Sequence, residues 1–573
     1  MSAFTATVSE EGSGRTPIRR IGLIVPLLIY IIGALIFFRW QIFSDFDLVF
    51  GDRGDARFVA FIHEHVFRWL SGQAEFLSPP FFFDQAKTLG YSDAFLLDQI
   101  IYYPLRLLGA EPLLALSLVA IILSPIAYFP LYMFLRRLDV SMGFASLAAV
   151  IFTFANNLYL MSIHLQHFAV YYIPVIAYCS LLAIGNVHQH PFRACAVGAF
   201  AAGVFGFLFS TGYYMAWFFG LGLLICTPIA AFTARPKVLA WWRAGPTRVL
   251  GLGLAAGLSF VAAASIFAVI YLPVLTLGAA RTFSEYLIYA PTPIDLFNIG
   301  SDNLIWSGLI RSLHLIREDR LFSEASIALT PTVQVLLLAS AAIALHPRFW
   351  PTTLGTVSRG LVIAGAVVYA LLYLVTIKTH NISLFHLLYA IMPGANAIRA
   401  GYRGMVVANL FAAISIGLAL DRIVLFVRQR WHGPRRVAAM CALAALLTMA
   451  ALEQVNLVRP AQLSREVERA HMAKLATAPH ECRTFYAAPQ INRAPYEVQI
   501  DAMMVALAQH LPTINGYSGL VPPGWDFYNT NSADYEQRAN RWAVKRGITE
   551  GLCRVDIYTG TWSAPDIALD RID

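Results

Sequence analysis

The stretch IGLIVPLLIYIIGALIFF, residues 21–38, decides how the rest of this chain is read. It carries no charge, and at about 1.5 Å of rise per residue it approaches the roughly 30 Å of hydrocarbon that a spanning helix has to cross. Arg15, Arg19 and Arg20 stand before it. The run is too long for a cleaved signal peptide and lacks the flank that cleavage needs, so it is expected to stay as a first helix with its N-terminus inside.

Runs of the same kind recur at 112–135, 143–160, 169–185, 194–210, 213–233, 249–275, 331–346, 359–377, 404–424 and 436–453, predicting about eleven crossings. The whole composition agrees. Of 573 residues 58% are hydrophobic and 13% charged, about half the charged fraction of soluble domains, and the mean hydropathy is +0.60. A row of soluble domains, a disordered chain and a disulfide-rich secreted scaffold are thereby excluded. The fold class is an all-α polytopic membrane helix bundle with a small C-terminal α/β domain.

The net charge of +8 is explained by topology rather than by nucleic acid. Alternate connections hold the arginines and lysines: Arg136 and Arg137; Arg235, Lys237, Arg243 and Arg248; Arg348 and Arg359; Arg422, Arg428, Arg430, Arg435 and Arg436. The short connections at 156–168 and 210–213 hold none. Those two are therefore outside, and an odd number of crossings puts the C-terminus outside as well.

Residues 1–454 read as the membrane module and 455–573 as a soluble domain with strand-like pieces at Arg483–Ala487 and Arg554–Tyr558. Cys179, Cys195, Cys226 and Cys441 fall in apolar helices, whereas Cys482 and Cys553 flank the strands of the tail. In an oxidising compartment the last two can join the ends of that domain. Two outside loops are long, 39–111 and 276–330, and loops of that length usually have work to do.

In the first loop GDRGDAR, residues 51–57, sets Asp52 and Asp55 three apart, on one face if the segment is helical. Ala56 to Leu70 is amphipathic and reads as a helix lying in the membrane interface. Pro79 to Phe83 reads as an aromatic patch at headgroup depth, and Tyr91-Ser92-Asp93 and Asp98 follow it. A carboxylate beside hydrocarbon gains basicity unless a cation compensates, which suits proton removal from a hydroxyl or amine. The plainer reading is that Asp52 and Asp55 cap the helix or pair with Arg53 and Arg57.

The first helix, the acidic start of a large outside loop, some eleven crossings and an outside C-terminal domain together resemble the GT-C superfamily of polyprenyl-phosphate-dependent glycosyltransferases. That group includes protein O-mannosyltransferases, the aminoarabinose transferases of lipid A and oligosaccharyltransferases. GDRGDAR, His63-Glu64-His65, Tyr91-Ser92-Asp93 and Asn515-Gly516-Tyr517-Ser518-Gly519 are similar to bacterial members. The resemblance implies an inverting transfer of sugar from a polyprenyl-phosphate carrier to a glycan, lipid or protein acceptor outside a bacterial inner membrane. It maps the base to Asp55 or Asp52, Asp55 being favoured because it directly precedes the amphipathic helix, with Asp93 as the backup. The paired Asp-Glu that some members carry is missing here.

The departing phosphate needs cations. Arg399 and Arg403 are four apart just before a crossing and would form one basic face on a helix, and Lys378 and His380 end the preceding helix on the same side. His164 and His167 have a spacing that suits a metal, though interfacial histidines without a nearby carboxylate are the more ordinary case, and a divalent metal is left open. Arg281, Glu285, Tyr286, Tyr289, Asp295, Asp302 and Trp306 in the middle loop could face a sugar. Arg317 to Arg320 reads as a solvated ion-paired patch, and Tyr517 with Trp525 as a small core or an acceptor surface. No phosphate-binding loop, dinucleotide fingerprint or nucleophile elbow is present. A transporter or flippase for lipid-linked glycans is the alternative, but it would place ionisable groups in the middle of its helices, where few occur. A non-catalytic scaffold is a further one.

Overall fold

A computed structural model describes residues 21–275, 281–314, 325–350, 353–490, 493–548 and 550–565. Arg15, Arg19 and Arg20, the Arg317–Arg320 patch and the side chain of Arg348 lie outside that description. Among the described residues nine helices are long and apolar enough to cross a membrane, and two shorter apolar helices, Leu23–Phe37 and Pro331–Ala344, accompany them. Each of the eleven expected runs thus corresponds to a helix.

The chain opens with α1 (Ile21–Phe37), β1 (Leu48–Phe50), α2 (Asp55–Leu70) and α3 (Gln99–Leu107). The helices α4 (Pro112–Arg137), α5 (Met142–Thr153), α6 (Ile173–Asn186), α7 (Pro191–Thr211), α8 (Tyr213–Thr233) and α9 (Pro246–Leu275) follow. Pro112 and Pro191 stand at helix starts, where the missing N–H is not needed. Arg136 and Arg137 sit in the last turn of α4, where a cation meets the negative end of the helix. Then come α10 (Phe283–Tyr289), α11 (Pro331–Ala344), α12 (Thr353–Thr376), a hairpin of β2 (Lys378–Thr379) with β3 (Ile382–Ser383), α13 (Phe385–Ile391), α14 (Gly404–Arg430) and α15 (Gly433–Leu452).

In a bilayer, helices associate through close packing rather than through hydrophobic transfer, so small residues matter at their contacts. A Cβ on Gly206 of α7 would stand 2.8 Å from the carbonyl oxygen of Phe260 in α9, and one on Gly365 of α12 would stand 2.6 Å from that of Phe411 in α14. Every residue of α14 from Gly404 to Leu420 is buried, making it the axis of the bundle.

The expected short loop at 156–168 is instead part of the interior. Asn156, Asn157 and His167 are buried in short helical turns; Asn156 Nδ2 donates to Ile299 O at 2.9 Å and Asn409 Nδ2 donates to Asn157 Oδ1 at 2.7 Å. Uncharged polar side chains let this segment read as a loop, but Asn156 and Asn157 are partnered by buried amide and carbonyl groups.

The tail contains β4 (Gln462–Ser464), α16 (Arg465–Met472), β5 (Thr484–Ala487), α17 (Pro495–Gln509), α18 (Tyr535–Lys545), β6 (Leu552–Asp556) and β7 (Thr561–Ser563). β6 pairs parallel with β5 and antiparallel with β7, and Cys482 and Cys553 are disulfide-bonded at the ends of the first two strands. The tail is joined to the first loop throughout. β1 pairs antiparallel with β4, Val49 opposite Leu463; Phe82 N donates to Asn515 O and Phe83 N to Thr513 O, both at 2.9 Å.

That union corrects two expectations. α2 does not turn its polar side to water: Arg57, His63, Glu64 and His65 are all buried, and Glu64 is held by Arg106 at 2.8 Å and by Tyr102 at 3.0 Å. The aromatic patch is no headgroup anchor either, because Phe81 and Phe82 are 1% and 0% exposed, with Phe82 packed on Trp525 and against Gly516. Periodicity shows which side of a helix is polar; it does not show that the polar side is matched by partners elsewhere in the loop, as for His63 and Glu64, or in the tail, as for Arg57.

Candidate functional site

GDRGDAR is divided among three tasks. Asp52 Oδ1 accepts the N–H groups of Gly54 and Asp55, both at 2.8 Å, and so satisfies backbone donors at the start of α2. Asp52 therefore precedes the helix and shares no helical face with Asp55. Arg53 and Arg57 turn to the tail: Arg53 meets Glu468 at 3.2 Å and Asp501 at 3.4 Å, and Arg57, 1% exposed, is paired with Asp501 and lies 3.5 Å from Glu468. Arg493 closes the network on Asp501 at 3.3 Å. Asp55, the first residue of α2, takes no part in that network.

The Asp55 carboxylate is 22% exposed and is hydrogen-bonded through Oδ2 to His164 Nδ1. Burial pushes its pKa up, but the hydrogen bond from His164 and the charges of His164, Arg403 and Arg399 outweigh burial and hold the group below the usual aspartate value. Asp55 is ionised. The other ring nitrogen of His164, Nε2, is buried without a hydrogen-bond partner among the described residues, and the His167 ring lies 5.5 Å away, its Nδ1 3.0 Å from Met161 O and its Nε2 likewise unpartnered among them.

Arg399 and Arg403 do come together, though by a different route from the one their spacing suggests. Arg399 lies in a bend, and Gly401–Arg403 forms a tight turn before α14, so the two do not share a helix. Tyr214 gathers them instead: its hydroxyl accepts the Arg399 N–H at 2.8 Å, and its ring lies 5.3 Å from the Arg403 guanidinium. The Arg399 guanidinium lies over Tyr289 at 4.9 Å and is 3.9 Å from Glu285, which is itself held by Arg281 at 2.6 Å. Arg403 pairs with no carboxylate among the described residues, although its charge reaches Asp55 and Asp93.

Asp93 Oδ1 accepts the N–H of Tyr213 at 3.0 Å, at the first residue of α8. Burial is the main influence and pushes its pKa up to about 6; the Tyr213 hydrogen bond and Arg403 oppose it, and the charge of Asp98 adds to it. Asp98 is fixed deeper in the protein, 3.2 Å from His63 Nε2 and accepting from the Tyr172 hydroxyl at 3.0 Å.

Lys378 and His380 are not shown to join this group. Lys378 Nζ donates to Leu287 O in α10, and His380 is exposed in the hairpin turn with φ +57°. Tyr517 of the tail does join it: burial raises its pKa and the nearby Asp55 raises it further, while Arg399 pulls the other way. A cavity of about 500 Å³ is lined by Tyr91 and by the tail segment Gly519 to Trp525, two residues after Tyr517 in the chain. No three His, Cys, Asp or Glu side chains among the described residues are placed to hold a metal ion. Tyr289, Glu285 and Arg281 belong to the middle-loop group singled out in the sequence and do lie beside Arg399, whereas Tyr214 escaped sequence reading because nothing separates it from the many other tyrosines at helix ends.

The sequence matches no family model and no curated protein. Among solved structures the chain is similar to the oligosaccharyltransferase AglB from Archaeoglobus fulgidus in complex with an inhibitory peptide and a dolichol-phosphate, at 13% identity and a TM-score of 0.49, over 94% of this chain and 70% of that one. A second structure of the Archaeoglobus fulgidus oligosaccharyltransferase, with Zn and sulfate, gives 12% identity and a TM-score of 0.46 over 92% and 67%. The arabinofuranosyltransferase AftD from Mycobacteria gives 15% and 0.43 over 86% of this chain and 31% of that one.

Proposed function

We propose that this protein is an inverting glycosyltransferase that moves a sugar from a polyprenyl-phosphate carrier to an acceptor at the outer face of a bacterial inner membrane. The observation that carries this reading is that Arg403, a cation with no carboxylate partner among the described residues, bears with its charge on two carboxylates, Asp55 and Asp93. In the reaction the acceptor oxygen bonds to the anomeric carbon as the bond from that carbon to the phosphate breaks. The electron pair leaves with the phosphate, and Arg403 and Arg399 stabilise the charge that develops there. The acceptor proton goes to Asp55, whose Oδ2 is tied to His164 and whose Oδ1 remains for the acceptor. A weak base suffices, because an attacking hydroxyl grows acidic as it bonds to an oxocarbenium-like carbon.

A second reading gives the proton to Asp93, whose pKa of about 6 is better matched to neutral pH. In both, residues 1–454 form the membrane module, the first loop and the 455–573 tail lie outside, and Tyr517 and Trp525 stand on the acceptor side. The donor half is tested by measuring binding of undecaprenyl phosphate to the purified protein. Arg403→Ala should weaken binding at least about tenfold, the scale of one charge-assisted contact, with the thermal transition little changed; equal affinity removes the phosphate site.

A further inference from the structure

The segment between α12 and α14 runs across the ends of several spanning helices rather than away from them. Trp217 Nε1 donates to Pro393 O at 3.0 Å, and the Tyr213 hydroxyl donates to Gly394 O at 2.9 Å. Trp217 is a full turn inside α8, so residues 393 and 394 sit level with the end of a span. On the other side of α13, the Tyr286 hydroxyl donates to the last carbonyl of α12, Thr376 O, at 2.9 Å, and its ring stacks on Phe385 at 4.3 Å. α13 is thereby held at the depth where α12 ends and α14 begins.

With Phe385 buried, α13 and the residue before it turn Leu384, Leu387 and Ile391 outward, 59%, 62% and 64% exposed. Spacings of three and four make these one stripe, and Ile382 of the hairpin, also exposed, precedes it. From Ile377 to Gly404 the side chains that can carry a positive charge are Lys378, His380, His386, Arg399 and Arg403, the other titratable ones are Tyr389 and Tyr402, and there is no Asp or Glu. An outward apolar stripe on a basic segment, fixed at the end of the spans, is suited to the boundary between acyl chains and anionic headgroups.

We propose that α13 with the β2–β3 hairpin is an interfacial anchor seated in an anionic phospholipid leaflet. The role that amphipathicity suggests for α2 belongs to α13. This needs only that the chain spans the bilayer and does not depend on the transferase reading; where that reading also holds, the anchor sets Arg399 and Arg403 at the depth of lipid phosphates.

The test uses the full chain in vesicles of phosphatidylethanolamine and phosphatidylglycerol, with an environment-sensitive fluorescent amino acid at position 387 and, as comparator, at the exposed position 558 of the tail. Brominated acyl chains should quench the probe at 387 and not at 558, and aqueous iodide should quench 387 several-fold less than 558. Replacing phosphatidylglycerol with phosphatidylcholine should lower the bromine quenching at 387. Iodide access equal at the two positions, or bromine quenching indifferent to phosphatidylglycerol, overturns the proposal. If a label at 387 prevents insertion, position 384 on the same stripe gives the same reading.

Discussion

His164 hydrogen-bonds the carboxylate of Asp55 from a position 109 residues away in the chain. One partner starts α2 in the first loop; the other lies in the buried segment between α5 and α6. The pair fixes one carboxylate oxygen and helps keep the partly buried group charged, under the influence of Arg399 and Arg403 from the segment that leads into α14.

The pH dependence of transfer separates the two carboxylates. Asp55, held below the ordinary aspartate value, is ionised across the neutral and weakly acidic range, so a reaction that uses it as the base shows no acid limb between about pH 5 and 7. If Asp93 takes the proton instead, kcat/KM falls as pH drops through about 6. The account predicts the flat profile. An acid limb near pH 6 that disappears in Asp93→Asn would transfer the role to Asp93.

Asp93→Asn should stabilise the protein at neutral pH. The folded-state pKa of about 6 lies above the unfolded value, so its contribution to stability is complete below about pH 4 and is lost as pH rises through about 6. Asn keeps an acceptor for the Tyr213 N–H without the buried charge. The expected gain is roughly 1–3 kcal/mol at pH 7, seen as a raised thermal transition in detergent, and it should vanish near pH 4. A lower transition at pH 7 would contradict the assignment.

Much of the bundle is visible in the sequence because spanning requires length and apolarity, and both are local properties. The site is less so. Asp55 could be picked from its place before a helix, but what separates it from Asp52 is that Asp52 takes the N–H groups of Gly54 and Asp55 while Asp55 meets His164, a partner 109 residues away. Arg399 and Arg403 suggest a shared helix through their spacing, whereas a tight turn and Tyr214 bring them together. The fates of Arg57 and Phe82 depend on Asp501 and Trp525, and nothing near residue 57 or 82 points to them.

The ion network between α2 and the tail should act as a clamp. Asp501→Ala leaves Arg57 buried beside Glu468 alone and should cost about 3–5 kcal/mol, the penalty for breaking a buried pair. Limited proteolysis should then release the tail faster than in wild type, whereas Arg538→Ala, which breaks an ion pair on the half-exposed side of α18, should not. Equal rates for the two variants would mean that the network does not hold the tail.

Thiol counting tests the tail's compartment. With Cys482 and Cys553 joined, denatured protein from intact cells should accept four maleimide tags, on Cys179, Cys195, Cys226 and Cys441, and six after reduction. Six tags before reduction would place the tail in a reducing compartment and remove the outside site.

The most direct measurement is turnover of a synthetic undecaprenyl-phosphate sugar by the full chain in proteoliposomes, with membrane extract supplying acceptors and released undecaprenyl phosphate as the readout. Wild type should release it, while Asp55→Asn should bind undecaprenyl phosphate normally and lose at least about a hundredfold in rate, the usual scale for a missing general base. Release at the wild-type rate by Asp55→Asn would contradict the assignment of the reaction to this site.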